Sequence, residues 1–284
     1  MQLSGYTMLC ETVAISEVYI RPRCIRIIKD SMLTPGSGRI GIIQSRGLGD
    51  LLIALPIALA YKEQGYKEIL WPICEEFMPT MTKCAPWVTW IPLKTDHHGN
   101  YFYFHAMGNL KYRDCEQIVC LYQYLSNQPE LSDPDLFPIL KFDQYKYAAA
   151  GVPFKHKQRL GECIVRDPAA EDRVYSAVVK QPKYIVVHLE GSDKRYQLDW
   201  SDAERQGYQV VHIREGVSAN ALDWLKVLEG AESLYLIDSC YANLVDGLDM
   251  HRDKWFIRRS KMDLTPVLLS DWNYFPLSSV EKSV

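Results

Sequence analysis

Arg39-Ile40-Gly41-Ile42-Ile43-Gln44-Ser45-Arg46-Gly47-Leu48-Gly49-Asp50-Leu51-Leu52-Ile53 is the stretch that decides the fold class. Ile40 to Ser45 reads as a buried strand, Gly47 and Gly49 as the turn after it, and Asp50 to Gln64 as a helix closed by Gly65. The helix is apolar on every side from Leu51 through Leu59, so it is a buried helix. A strand that feeds a helix through glycines is where α/β proteins place ligands. The lone carboxylate, Asp50, has two readings: a cap for the first free N–H groups of the helix, or a group that meets a ligand at close range.

The same alternation continues outward. Glu68 to Cys74 and Val88 to Leu93 read as strands, with a helix over Glu75 to Cys84 that Pro79 should shorten. The polar and aromatic stretch Lys94 to Gly108 reads as a loop, and Asp114 to Leu125 and Asp143 to Ala150 as helices. Asn127 to Pro138 is a proline-rich loop, and residues 151–182 have weak periodicity. A second series follows: strands Tyr184 to Leu189, Tyr208 to Ile213, Ser233 to Ile237 and Lys254 to Ile257. Helices over Trp200 to Gln206, Ser218 to Leu228 and Tyr241 to Leu248 alternate with them. Two such series predict two α/β domains with mostly parallel sheets, over 39–165 and 166–284. Residues 1–38 read as an arm and linker, with short strands at Val18-Tyr19-Ile20 and Cys24 to Ile28. The tail from Asp271 either packs back on the first domain or frays.

Bulk composition narrows the class. Lys plus Arg is 32 against 35 for Asp plus Glu, a formal charge of -3, which argues against a protein that simply coats nucleic acid or anionic membrane. No apolar run is long enough to span a bilayer, and Glu11 and Glu17 interrupt any signal-like segment. The eight cysteines form no Cys-x-x-Cys pair and lack zinc spacing, so they read as reduced thiols in a cytoplasmic protein.

Three stretches carry candidate chemistry. Around Gly47-Leu48-Gly49-Asp50, a dinucleotide fingerprint fits the first two glycines but meets Leu52 at the third, and a P-loop is excluded because no Lys-Ser or Lys-Thr follows. Asp238-Ser239-Cys240-Tyr241-Ala242-Asn243 lies past the strand Leu234 to Ile237 and opens a helix, whose first N–H groups suit phosphate; the plain reading is an Asp/Ser cap. His188-Leu189-Glu190-Gly191-Ser192-Asp193-Lys194-Arg195 places two cations after a Gly-Ser turn, where they neutralise a diphosphate or simply stand in solvent, balanced by Glu190 and Asp193. His97, His98 and His105 lack metal-ligand spacing on a helix and read as polar loop residues, so no metal site is expected.

Together these stretches resemble the heptosyltransferases, glycosyltransferase family 9. Ser45-Arg46-Gly47-Leu48-Gly49-Asp50-Leu51-Leu52 with Leu55-Pro56 looks like the family's opening motif, and Leu225 to Leu248 looks like its donor-site signature. Asp143 to Phe154 is similar to the segment that ends the family's first domain. Cys240 stands where the family has Gly, and Asn243 where it usually has His.

The resemblance implies a GT-B fold, two Rossmann-like domains facing a cleft, with the acceptor on the first and a nucleotide-sugar on the second. It implies an inverting, metal-independent transfer with no cofactor and Asp50 as general base. Gly191, Ser192, Lys194, Arg195, Asp238, Ser239 and Asn243 would bind the donor. Arg46, Gly47, Leu48, Gly49, His97 and His98 would lie on the acceptor side, with the aromatic loop from Asp96 to Phe104 shaping it. The acceptor hydroxyl belongs to a glycan, a small molecule, a protein or a hydroxylated DNA base. Rival readings are a non-catalytic nucleotide-binding module and an NAD-linked oxidoreductase.

Overall fold

The computed structural model describes residues 13–15, 18–20, 38–94, 101–122, 140–191, 195–214, 216–250, 252–258, 265–275 and 281–282. The chain divides into two compact units that are not contiguous in sequence. The first comprises Met1–Arg46, Ala54–Glu75 and Val88–Lys157; the second comprises Gly47–Ile53, Glu76–Trp87 and Gln158–Val284.

The first unit holds a short antiparallel pair, β1 (Val13–Ile15) and β2 (Val18–Ile20), and a four-stranded parallel sheet. The sheet is built from β3 (Arg39–Ile43), β4 (Glu68–Cys74), β5 (Thr89–Leu93) and β6 (Gln117–Cys120), in the order β5-β4-β3-β6. Ile40, Ile42 and Ile43 are fully buried, as a central strand covered on both faces requires. Helix α1 (Leu48–Glu63) follows β3, and every residue from Leu51 to Ala58 is buried. Between β4 and β5 lie a 3-10 turn, Glu75–Phe77, and helix α2 (Met78–Cys84), grouped with the second unit from Glu76 onward, with Pro79 held to the first helical turn.

Two sequence expectations fail together in the next segment. Helix α3 is Tyr101–Lys111, inside the stretch read as a loop, and Gln117–Cys120, inside the expected helix Asp114 to Leu125, is strand β6. Tyr103, Ala106 and Leu110 form the helical stripe and pack on Ile43, Leu70 and Ile118. Gly41 is needed for that contact: a Cβ there would lie 2.9 Å from Leu110 Cδ1. Ile118, Val119 and Cys120 are buried and pair with β3 from Gly41 to Ile43. The aromatic loop from Asp96 is therefore helical from Tyr101 onward.

Helix α4 (Phe142–Ala150) closes on Gly151 at φ 66°. Tyr61 of α1 donates to Ala150 O at 2.8 Å, and Asp143 and Lys157 form a fully buried ion pair at 3.1 Å. The expected loop Asn127 to Pro138 and strand Cys24 to Ile28 lie outside the described residues.

The second unit is a five-stranded parallel sheet of β7 (Tyr184–His188), β9 (Gln209–His212), β10 (Ser233–Ile237), β11 (Asp253–Ile257) and β12 (Asn273–Phe275). Its order is β12-β11-β10-β7-β9. A short strand β8 (Tyr196–Gln197) pairs antiparallel with β13 (Glu281–Lys282). Strand β12 corrects the expectation for the tail, which adds an edge strand to this sheet.

The weakly periodic stretch before the sheet contains helix α5 (Leu160–Cys163) and helix α6 (Pro168–Val178). Asp167 caps α6, and Pro168 occupies its first position. Helices α7 (Ser201–Arg205), α8 (Leu225–Gly230) and α9 (Cys240–Gly247) complete the unit. The expected helix from Ser218 begins instead as a 3-10 turn at Ala221–Trp224. On one face Tyr184 donates to Val227 O of α8; on the other Ile185, Val187 and Ile237 pack with half-buried Trp200, Tyr235 and Phe275. Among the described residues no helix is long and apolar enough to cross a membrane.

Candidate functional site

Helix α1 begins at Leu48, two residues before the expected start, so Asp50 lies in its first turn and Gly47 precedes it. Gly47 has φ 82°, a left-handed conformation that favours glycine. A Cβ on Gly47 would lie 2.6 Å from Asp50 Oδ2, so the carboxylate curls back over the turn. The Leu51 N–H closes the first helical bond on Gly47 O at 2.9 Å. Arg46 is exposed; Leu48, Gly49 and Asp50 are half-buried.

Gly49 has a different role from Gly47. A Cβ on it would meet Asn243 Nδ2 at 2.9 Å and the Cys240 Cα and N at 3.5 and 3.6 Å. Within the second unit, then, the first turn of α1 packs directly on the first turn of α9. The absent side chain lets the two helix starts touch, and it brings Asp50's turn against the Asp238-to-Asn243 segment.

That segment sits at the carboxyl end of β10. Asp238 N–H donates to Ile257 O at 3.2 Å, and Asp238 and Ser239 are half-buried. Ser239 is extended and precedes α9, yet its hydroxyl does not cap the helix. Ser239 Oγ instead lies 3.1 Å from His188 Nδ1 at the end of β7. The His188 ring also meets Tyr241 edge-on at 4.6 Å. Burial pulls the His188 pKa from 6.5 down to about 4, so the ring is neutral at neutral pH. Asn243 is buried, and its Oδ1 has no hydrogen-bond partner among the described residues. The Cys240 thiol is pushed up to about 12 by burial and is no nucleophile at neutral pH.

The third stretch is only partly described. Glu190 and Arg195 form an isolated antiparallel bridge with their charged groups 4.0 Å apart, and Gly191 is half-buried. Ser192 and Lys194, like His97 and His98, lie outside the described residues. A pocket of about 310 Å³ opens at the carboxyl ends of β7 and β9; Tyr196, Trp200, His212, Arg214, Leu189 and Glu190 are among its walls. It has an aromatic and aliphatic floor with a mixed-charge rim. Val187 lines it, so by strand alternation it lies on the face of β7 opposite His188. Among the described residues no cluster of three His, Cys, Asp or Glu side chains could hold a metal ion.

The structure thus joins Gly49 with Cys240 and Asn243, and Ser239 with His188. His188, Leu189 and Glu190 fall in the third candidate stretch, but the sequence reading gives no role in the site to His188, to the remaining pocket residues or to Lys146, a buried cation of α4. His188 had a signal, being a polar residue that ends the apolar strand Tyr184-Ile185-Val186-Val187. Lys146 had none beyond being the single cation in Tyr145-Lys146-Tyr147-Ala148.

No protein-family model and no curated protein matches the sequence. Solved structures do match. TibC, the dodecameric iron-containing heptosyltransferase of enterotoxigenic E. coli H10407, in complex with ADP-D-β-D-heptose, aligns at a TM-score of 0.54 and 12% identity. The match covers 86% of this chain and 63% of TibC. The chain therefore spans less than two thirds of that relative's length. A family 9 glycosyl transferase from Veillonella parvula DSM 2008 aligns at 0.52 and 13%, over 84% of this chain and 86% of its own. E. coli ADP-heptose lps heptosyltransferase II aligns at 0.51 and 13%, over 84% and 89%. Identity this low establishes fold alone, and the fold class is GT-B, with two Rossmann-like α/β units, as in the heptosyltransferases and family 9 glycosyltransferases that the sequence resembles.

Proposed function

We propose that the chain is an inverting glycosyltransferase that moves a sugar from a nucleotide-sugar to an acceptor hydroxyl. The observation that carries this reading is the contact of Gly49 with Cys240 and Asn243, which sets Asp50's turn beside the start of α9. In the proposed reaction Asp50 accepts the proton of the acceptor hydroxyl. The oxygen attacks the anomeric carbon as the bond to the diphosphate breaks, and the nucleoside diphosphate leaves. Charge grows on that leaving group, and the N-terminal end of α9 with Ser239 and Asn243 is suited to stabilise it. Gly191, Ser192, Lys194, Arg195 and Asp238 complete the donor side, and Arg46 and the glycines the acceptor side. His97 and His98 are also assigned to the acceptor side. Neither a metal nor a cofactor enters the step.

The test is release of nucleoside diphosphate from ADP-heptose, UDP-glucose and GDP-mannose. Turnover should survive EDTA, and Asp50→Asn should lower kcat by about 10²- to 10⁴-fold. Full activity in Asp50→Asn removes Asp50 as the base. Binding of NAD with no response to any nucleotide-sugar removes the transferase reading.

A further inference from the structure

The carbonyl of Arg46, the last residue before the turn that opens α1, accepts from a chain of buried polar groups in the first unit. Lys146 of α4 is 3% exposed and Gln44, just past β3, is 1% exposed. Lys146 Nζ donates to Gln44 Oε1 at 2.6 Å and to Leu121 O at 3.3 Å. Gln44 Nε2 donates to Arg46 O at 2.8 Å. The backbone between is pinned as well: Trp71 Nε1 donates to Gln44 O at 2.8 Å, Ser45 N–H to Tyr122 Oη at 2.9 Å, and Cys74 N–H to Ser45 O at 2.9 Å.

The chemistry of the chain is directional. An ammonium group only donates, so the glutamine must turn its carbonyl oxygen toward Lys146. Its amide nitrogen is then aimed at Arg46 O, the last carbonyl before Gly47. Burying an ammonium is costly, and an apolar side chain of that length would fill the same space without the cost. What the charge adds is a fixed orientation of the Gln44 amide, and through it a fixed carbonyl at the mouth of the turn. We propose that Lys146, acting through Gln44, is a positioning residue that fixes the turn carrying Asp50. Its consequence for turnover rests on the reading of Asp50 as the base.

Two substitutions separate this relay from simple packing. Gln44→Glu keeps an acceptor for Lys146 but, as a carboxylate, cannot donate to Arg46 O. Lys146→Met keeps the volume and removes the donor. In Gln44→Glu, amide hydrogen exchange at Gly47 and Leu51 should quicken by about tenfold or more, while β4 amides other than Cys74 stay as in wild type. Release of nucleoside diphosphate from whichever of ADP-heptose, UDP-glucose and GDP-mannose the wild type turns over should lose about tenfold in kcat with donor KM unchanged. Lys146→Met should behave alike; if it fails to fold, Gln44→Glu decides. Unchanged exchange at Leu51, or quickened exchange with unchanged kcat, overturns the proposal. If the wild type turns over none of the three sugars, the functional reading fails, and exchange at Leu51 still decides whether Lys146 and Gln44 hold the turn.

Discussion

Gly49 illustrates how one missing methyl group sets the site. In an ordinary helix, alanine outranks glycine by about 1 kcal/mol. Here a Cβ would press on the buried Asn243 amide. Gly49→Ala should therefore destabilise the protein by about 1–2 kcal/mol against its helix propensity, and Asn243→Ala in the same chain should recover most of it. Urea unfolding of the two single variants and the double variant reads this directly. At Gly47 the obstacle is the backbone, since φ 82° is strained for any side chain.

His188 supplies the pH dependence. Its folded pKa, about 4, lies below its unfolded 6.5, so between those values the unfolded chain binds more protons. The stability tied to neutral His188 is complete above about pH 6.5 and is lost as pH falls toward 4, by about 3 kcal/mol at most. The Tm of the wild type should fall over that window, and His188→Asn should fall less steeply. Equal slopes would show that His188 does not titrate in this range.

At the scale of elements, α9 does two jobs from its two ends. Its first turn meets Gly49 and holds Ser239 beside His188. Its last turn carries Asp246, fully buried, which accepts from Leu269 N–H at 2.9 Å, Ser270 N–H at 3.0 Å, Ser270 Oγ at 2.8 Å and Trp272 Nε1 at 3.3 Å. Those bonds tie the segment leading into β12 to the helix. Asp246→Ala leaves the Leu269 N–H, the Ser270 N–H and the Ser270 hydroxyl without this acceptor, while Trp272 Nε1 keeps Ser270 Oγ at 3.1 Å, and it should cost about 3 kcal/mol, with early chymotryptic cleavage near Trp272. Asp246→Asn keeps an oxygen and should cost less. A cleavage pattern identical to wild type would mean that β12 is held by its pairing with β11 alone.

Over the whole molecule, two parallel sheets built from unrelated stretches share a plan with glycosyltransferases of 12–13% identity. A parallel sheet buried on both faces asks only for apolar runs of the right length and for small residues at close approaches, so many sequences satisfy it. The division into units cuts α1 after Ile53: its first residues group with the second unit, while its buried middle belongs to the first.

By itself the sequence determined the strands β3, β4, β7, β10 and β11, the buried helix α1, and the placement of candidate groups at strand ends. Each of these is a local pattern of period or of turn chemistry. It misplaced α3 and β6 by reading aromatic density as a loop, although Tyr103, Ala106 and Leu110 carried the helical period. It passed over α6 because residues 151–182 show only weak periodicity, although Pro168 after Asp167 is a helix start. Only the tertiary structure decided that Gly49 makes room for Asn243, that His188 holds Ser239, that Phe275 belongs to an edge strand, and that Lys146 lies 2.6 Å from Gln44. These contacts join residues 51 to 194 positions apart, or a tail to a sheet. No local periodicity records them, because they depend on which faces the packed elements turn toward one another.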